Sequence, residues 1–537
     1  MKKATILFIS IIFLSTFLRL YRLGENPPSL YWDETSLGYN AFAIATSGMD
    51  EHGERLPRAR FIAFGDYKPP GYVYIAALAI KTFGLSEFTI RLPSALAGVG
   101  IVIIAYLFCS LFFESVTIGL LAALIIAVSP WSIQLSRAAF EANLGAFFNI
   151  CGLYLFIKAV KKNPWYFLLS TVFFMLSFYT FNANRITGPI VFAALSLFYV
   201  RTIWNYKRAY IVAIIIGGIL LIPSIPYLLS AESKLRFNEV TIFTDLNTVE
   251  VANKRIEREG NAIWAKILHN RRVGFTQLYL SHFIDQFNPR YLFYQGDRNP
   301  RLSVQVVGEL YFFELPFLII GLYAIFRRKK ELFITLILWI IAAIIPSATA
   351  RETPHALRTA SLLPVYQIAV GYGMYIIWRR ILRLRLGQRR VIVVLAFFIM
   401  IASWYYYLHY YFIHYGADWA NEWQDGYKEM IETVSKIQNN YDYIVVTSQE
   451  GRPYIYFLLY EQINPRTYLA ERRARRDWWG LWTVDGFGKY YFDEKQRFKL
   501  KGKILFVASP GQITEEDHPI KRIYSKKGEE VFVISER

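Results

Sequence analysis

Between Pro70 and Gly84 the chain reads GYVYIAALAIKTF (71–83), and the topology of the whole molecule turns on these thirteen residues. The run is apolar except for Lys81. As a helix it reaches ~20 Å at about 1.5 Å per residue, short of a ~30 Å hydrocarbon core. It therefore reads as a helix lying along the outer membrane interface. Were it a span, every basic cluster after it would change sides.

Further apolar runs lie on both sides of it. The chain has 537 residues, of which 54% are hydrophobic and 17% aromatic, too apolar for a soluble protein of this length. The reading is an all-α polytopic membrane protein with eleven spans, at about 4–20, 91–113, 117–131, 143–160, 165–181, 186–204, 209–229, 307–326, 332–349, 359–378 and 391–412. Basic clusters fall at alternate span ends, among them Lys158 to Lys162, RRKK (327–330) and WRRILRLRLGQRR (378–390). That alternation places Lys2, Lys3 and the N-terminus in the cytoplasm. Arg19 and Arg22 run against the rule and are outweighed by the later loops. The net charge of +19 is thus topological, and nucleic acid is not an expected partner. The N-terminal segment lacks a small-x-small cleavage site and reads as an uncleaved span.

Residues 1–414 form the expected transmembrane domain, with a first outer loop at 21–90 and a long one at 230–306. Within the latter, 261–287 reads as an amphipathic surface helix. Residues 415–537 read as a small extracytoplasmic α/β domain, with strands at 441–448, 502–509 and 530–536 and a helix at 453–462. The two cysteines, Cys109 and Cys151, both sit in apolar runs, so neither a disulfide framework nor a cysteine metal site is expected.

The polar residues of interest gather on the outer side. YWDETSLGYNAFAIATSG (31–48) carries Asp33 and Glu34 at the head of a helix expected over 34–47, with Asp33 placed to cap it and Gly48 to stop it. FGDYKPPGY (64–72) carries Asp66 and Lys68, and RLPSALAG (91–98) carries Arg91. Arg137 and Glu141 follow in SPWSIQLSRAAFEAN (129–143), and PHALR (354–358) carries His355 and Arg358. Each has a plainer reading. The acids suit a helix start, Lys68 and Arg91 suit headgroup anchoring, and Arg137 and Glu141 are spaced to pair along a helix. Together they suit an amphiphile with a phosphate head and an apolar tail. Cations neutralise the phosphate and a carboxylate takes the proton of an attacking hydroxyl.

These motifs, YWDE after the first span, KPP, RLPSAL and PHALR, resemble the GT-C glycosyltransferases. The likeness is to bacterial relatives of the protein O-mannosyltransferases and of the lipid A aminoarabinose transferase, over roughly 1–415. The resemblance implies a polyprenyl-phosphate-sugar donor, mannose among the candidate sugars, and transfer with inversion to a hydroxyl of a lipid, glycan or protein on the outer face of the plasma membrane. It implies Asp33 as the catalytic base, with Glu34 completing the acidic pair. Lys68, Arg91, Arg137 and Arg358 would bind the donor phosphate, with Asp66, Glu141 and His355 in support. Aminoarabinose transferases have Glu directly before the KPP lysine, whereas Tyr67 stands there in this chain. A divalent metal therefore has no clear ligand set. A lipid-linked-sugar flippase and a non-catalytic membrane scaffold are the rival readings. The flippase predicts charges deep within several spans.

Overall fold

The computed structural model describes residues 2–64, 66–476 and 482–537. The chain divides into two compact units. One comprises Met1–Leu18, Ala97–Leu135 and Glu141–Trp404, and the other Arg19–Leu96, Ser136–Phe140 and Tyr405–Arg537. The first outer loop thus falls in one unit with the C-terminal stretch.

Seven described helices are long and apolar enough to cross a membrane: Lys2–Leu20, Glu87–Phe113, Glu141–Lys161, Lys207–Leu229, Lys330–Ala348, Ala360–Ile381 and Leu386–Asp418. A bent pair, Val116–Val128 and Pro130–Ser136, broken by 58°, is as long and apolar when its two helices are taken together. Pro130 has no N–H to continue the first helix. The other three of the eleven expected spans are shorter. Tyr166–Phe178 has 13 residues, and Asn184–Phe198 and Glu314–Arg328 have 15 each. The last starts later than expected because residues 309–310 pair with a loop. The Glu309 N–H donates to the Tyr291 carbonyl (3.3 Å) and the Leu310 N–H to that of Leu292 (2.7 Å). Helix Leu386–His409 exposes Val391, Leu395, Phe397 and Phe398, a surface suited to hydrocarbon.

In the long loop the expected surface helix is two helices, Ile263–Leu268 and Arg271–Asp285. The Asn270 side chain starts the second by accepting from the Arg272 and Val273 N–H groups.

In the second unit, helix Trp32–Ser47 begins two residues before expectation. Its N-cap is Tyr31, so Asp33 lies inside the first turn rather than at the cap. Gly48 closes the helix at φ 68°, its N–H donating to the Ile44 carbonyl. Strands β1 (Phe61–Ala63) and β2 (Asp66–Lys68) form an antiparallel hairpin pairing Phe61 with Lys68. Helix Gly71–Phe83 follows, with the thirteen residues read from the sequence.

The C-terminal stretch builds a seven-stranded sheet. Its strands are β3 (Tyr443–Val446), β4 (Arg473–Arg476), β5 (Trp482–Phe487), β6 (Tyr490–Tyr491), β7 (Ile504–Ala508), β8 (His518–Tyr524) and β9 (Glu530–Glu536). They run in the spatial order β4-β5-β6-β3-β7-β9-β8. Central β3 is parallel to β6 and β7, and the other pairs are antiparallel. The expected strands are β3, β7 and β9, and the expected helix is Pro453–Tyr460.

In the first unit, helices Glu314–Arg328 and Leu363–Ile381 cross through glycine. A Cβ on Gly321 would land on the Ala369 carbonyl, and one on Gly373 on the Phe317 carbonyl. Close backbone approach of this kind needs small residues. Gly321→Ala and Gly373→Ala are each expected to destabilise by about 1–3 kcal/mol through overpacking. Gly218→Ala, where a Cβ meets nothing within 4 Å, is expected to be nearly neutral. Unfolding temperatures in detergent check the contrast.

Candidate active site

The site is built on the first turn of helix Trp32–Ser47. Gln424 holds that turn in place, its side-chain oxygen accepting from the Trp32 N–H at 2.8 Å. Successive helical residues point about 100° apart. Asp33 and Glu34 therefore face different surroundings.

Glu34 is completely buried. Its Oε1 accepts from Arg91 Nε at 2.9 Å and from the Ala139 N–H at 2.6 Å, and its Oε2 accepts from Arg91 Nη2 at 3.0 Å. Arg91 is equally buried, and its remaining N–H groups reach carbonyls. Nη1 donates to Leu23 (3.1 Å) and Pro27 (2.9 Å), and Nη2 to Ser29 (2.5 Å). All five N–H groups of the guanidinium are thereby engaged. Arg91, expected to bind the donor phosphate, is thus engaged by protein groups. Arg91 is a clamp, because a phosphate could reach it only by displacing protein from a buried charge. Glu34, expected beside Asp33 as the second member of the acidic pair, has no oxygen open to solvent.

Arg137 repeats the pattern. It is buried, donates from Nε to the Tyr411 hydroxyl (3.2 Å), and from Nη2 to the carbonyls of Tyr21 (2.8 Å), Arg22 (3.3 Å) and Asn26 (2.8 Å). Its guanidinium also lies over the rings of Tyr411 and Phe412. Two guanidiniums thus gather the carbonyls of residues 21–29 into one turn. Arg137, also expected to bind the donor phosphate, is likewise engaged by protein groups.

Asp33 keeps a different environment. Its side chain is 27% exposed, and its Oδ1 lies 3.1 Å from Lys68 Nζ. Asp66 Oδ2 lies 3.9 Å from the same ammonium, and its Oδ1 accepts from the Tyr67 N–H. The β1–β2 hairpin delivers Lys68 to this point, with only 9% of its side chain exposed. The result is a carboxylate open to solvent beside a largely desolvated cation, an arrangement able to accept a proton and hold an anion at adjacent points.

His355 and Arg358 lie in the other unit, as does Glu141, which opens helix Glu141–Lys161. There His355 and Arg358 meet an acid that sequence reasoning missed. Asp297 Oδ2 accepts from the Ala356 N–H at 2.7 Å and lies 3.9 Å from His355 Nδ1. The Arg358 N–H points to His355 Nδ1 at 3.4 Å, and its Nη1 donates to the Glu352 carbonyl. Burial raises the Asp297 carboxyl to about 6 and pushes the Glu309 carboxyl further up, with Asp297 adding to the latter. Burial, then Arg358, holds the His355 imidazole well below its usual range. The only sequence signal was an Asp in the turn QGDRNP (295–300). No group of three or more His, Cys, Asp or Glu among the described residues could hold a metal ion.

Residues 67–227 match the family described as dolichyl-phosphate-mannose-protein mannosyltransferase. Two Bacillus subtilis (strain 168) proteins, named "Putative mannosyltransferase YkcB" and "Putative mannosyltransferase YycA", are each 27% identical over 201 and 194 residues, or 37% and 36% of this chain. The chain spans 26% and 27% of the length of these two relatives. Among solved structures, ArnT from Cupriavidus metallidurans bound to undecaprenyl phosphate superposes with a TM-score of 0.55 at 14% identity, covering 99% of this chain and 97% of that one. The Archaeoglobus fulgidus oligosaccharyltransferase in complex with Zn and sulfate follows at 0.51 and 14%, covering 84% and 61%. The fold is therefore the GT-C fold, shared with ArnT over nearly the whole of both chains.

Glu34→Gln is expected to unfold at a lower temperature than the native protein. Removing one partner from a buried ion pair costs about 3–5 kcal/mol. Arg91→Lys is expected to lose stability too, because one ammonium cannot replace a bidentate contact and three carbonyl contacts. Thermal unfolding in detergent measures both.

Proposed function

We propose that the protein is a polytopic glycosyltransferase that moves a sugar from a polyprenyl-phosphate donor to a hydroxyl acceptor. The observation that carries this reading is the Asp33–Lys68 pair, 3.1 Å apart and partly open, beside an acid–arginine pair that is closed. The fold shared with ArnT and the mannosyltransferase match over 67–227 support it.

The donor enters from the bilayer with its phosphate beside Lys68. Asp33 accepts the proton of the acceptor hydroxyl as that oxygen attacks the anomeric carbon. The bond from the anomeric carbon to the phosphate oxygen breaks, and its electron pair leaves with the polyprenyl phosphate. Lys68 neutralises the charge that develops there. Asp66 flanks the ammonium and positions it. One displacement on the side opposite the phosphate inverts the anomeric configuration. Mannose is the sugar favoured by the family match, and the acceptor hydroxyl belongs to a lipid, a glycan or a protein.

The basic clusters support a plasma-membrane protein with the N-terminus in the cytoplasm. On that orientation the first outer loop and the C-terminal sheet work outside the cell, where the donor's sugar is presented.

The test is a transfer assay with purified protein and a panel of polyprenyl-phosphate sugars. Asp33→Asn is expected to reduce turnover by about 10²–10⁴-fold, the usual contribution of a general base, while leaving the unfolding temperature near that of the native protein. Near-normal turnover in this variant would remove Asp33 from the role. Movement of donor across liposomes without transfer to any acceptor would favour a transporter.

A further inference from the structure

In the first unit, four helix ends meet around a cavity of about 620 Å³. They are the C-termini of Glu87–Phe113, Glu141–Lys161 and Glu314–Arg328, and the N-terminus of Lys330–Ala348. Five cations line the cavity, Lys161, Lys162, Arg328, Lys329 and Lys330, against two carboxylates, Glu114 and Glu331. We propose that this cavity is a binding site for the phosphate headgroup of an anionic phospholipid, separate from the Asp33–Lys68 pair.

The five cations divide by what they touch. Lys161 Nζ is 2.8 Å from Glu331 Oε2, whose other oxygen accepts from the Tyr199 hydroxyl at 2.8 Å. Lys329 Nζ donates to the Phe112 carbonyl at 3.3 Å. These contacts fix the wall of the cavity. Lys162, Arg328 and Lys330 are exposed and have no acceptor among the described residues. A headgroup phosphate would supply that acceptor. On the same wall Leu111 is partly exposed, whereas Phe112 and Leu332 are buried. Basic pockets between transmembrane helices are where anionic lipid headgroups bind. Residues that serve topology alone need no cavity and no fixed wall, and their attraction for anionic lipid is spread over the surface rather than held at one place.

The test uses the full-length protein in detergent, with bound lipid counted by native mass spectrometry after exposure to equal phosphatidylglycerol and phosphatidylcholine. The native protein is expected to retain phosphatidylglycerol about tenfold or more over phosphatidylcholine. The triple variant Lys162→Gln, Arg328→Gln, Lys330→Gln is expected to lose that preference. A matched variant outside the cavity, Arg383→Gln, Arg385→Gln, Arg389→Gln, is expected to keep it. Should the triple variant fail to fold, Lys330→Gln alone is expected to lower the preference by about fivefold. Equal retention of the two lipids by the native protein would overturn the proposal, as would loss of preference in the matched variant. Glycerol 3-phosphate raising the native unfolding temperature without any preference for phosphatidylglycerol would make the occupant a soluble phosphate and overturn the lipid assignment.

Discussion

The buried ion pair between Glu34 and Arg91 is the interaction on which the site depends. Neither side chain is exposed, and an isolated charge in such a place would be prohibitively costly. The pair is tolerated because the carboxylate also takes the Ala139 N–H and the guanidinium also takes three carbonyls. Those carbonyls come from the turn between the first helix and helix Trp32–Ser47. One contact set therefore joins the turn at 23–29, the first turn of helix Trp32–Ser47, the start of helix Glu87–Phe113 and the short segment at 139. Arg137 fastens the same turn from residues 21–26 and ties it to Tyr411.

This clamp divides the labour of two adjacent acids. Glu34 points into the protein and fixes the helix. Asp33, about 100° further round, points to Lys68 and remains partly open. A base is useful only where its position is held and its oxygen is accessible. Holding Asp33 through its neighbour leaves its own carboxylate available. The hairpin that presents Lys68 serves the same end, bringing one cation to Asp33 while two arginines stay in the framework.

Part of this was legible in the sequence. Thirteen apolar residues bounded by Pro70 and Gly84 are too few to span, and the helix observed has that length. Gly48 as a helix stop was readable because only a left-handed residue closes the helix so tightly. Three of the eleven expected spans are shorter helices in the structure, one of them because residues 309–310 make backbone contacts that hydropathy does not record. In the C-terminal sheet the strands read in advance, β3, β7 and β9, are largely buried and apolar. Strand β8 is almost wholly exposed and β4 is an arginine run, so neither shows the pattern of a strand. At the site, sequence identified the acids and cations without separating their roles. Nothing in RLPSALAG states that Arg91 meets a carboxylate 57 positions earlier and three carbonyls besides. A buried arginine at a span end reads equally as a lipid-phosphate ligand and as a clamp, and only the partners distinguish them.

An experimental structure of the protein with a polyprenyl phosphate bound tests the account most directly. The account predicts the phosphate within hydrogen-bonding distance of Lys68, Asp33 facing the space beside it, and the Glu34–Arg91 pair unchanged. A phosphate seated on Arg91 or Arg137, with the Glu34 pair opened and Lys68 remote, would contradict it.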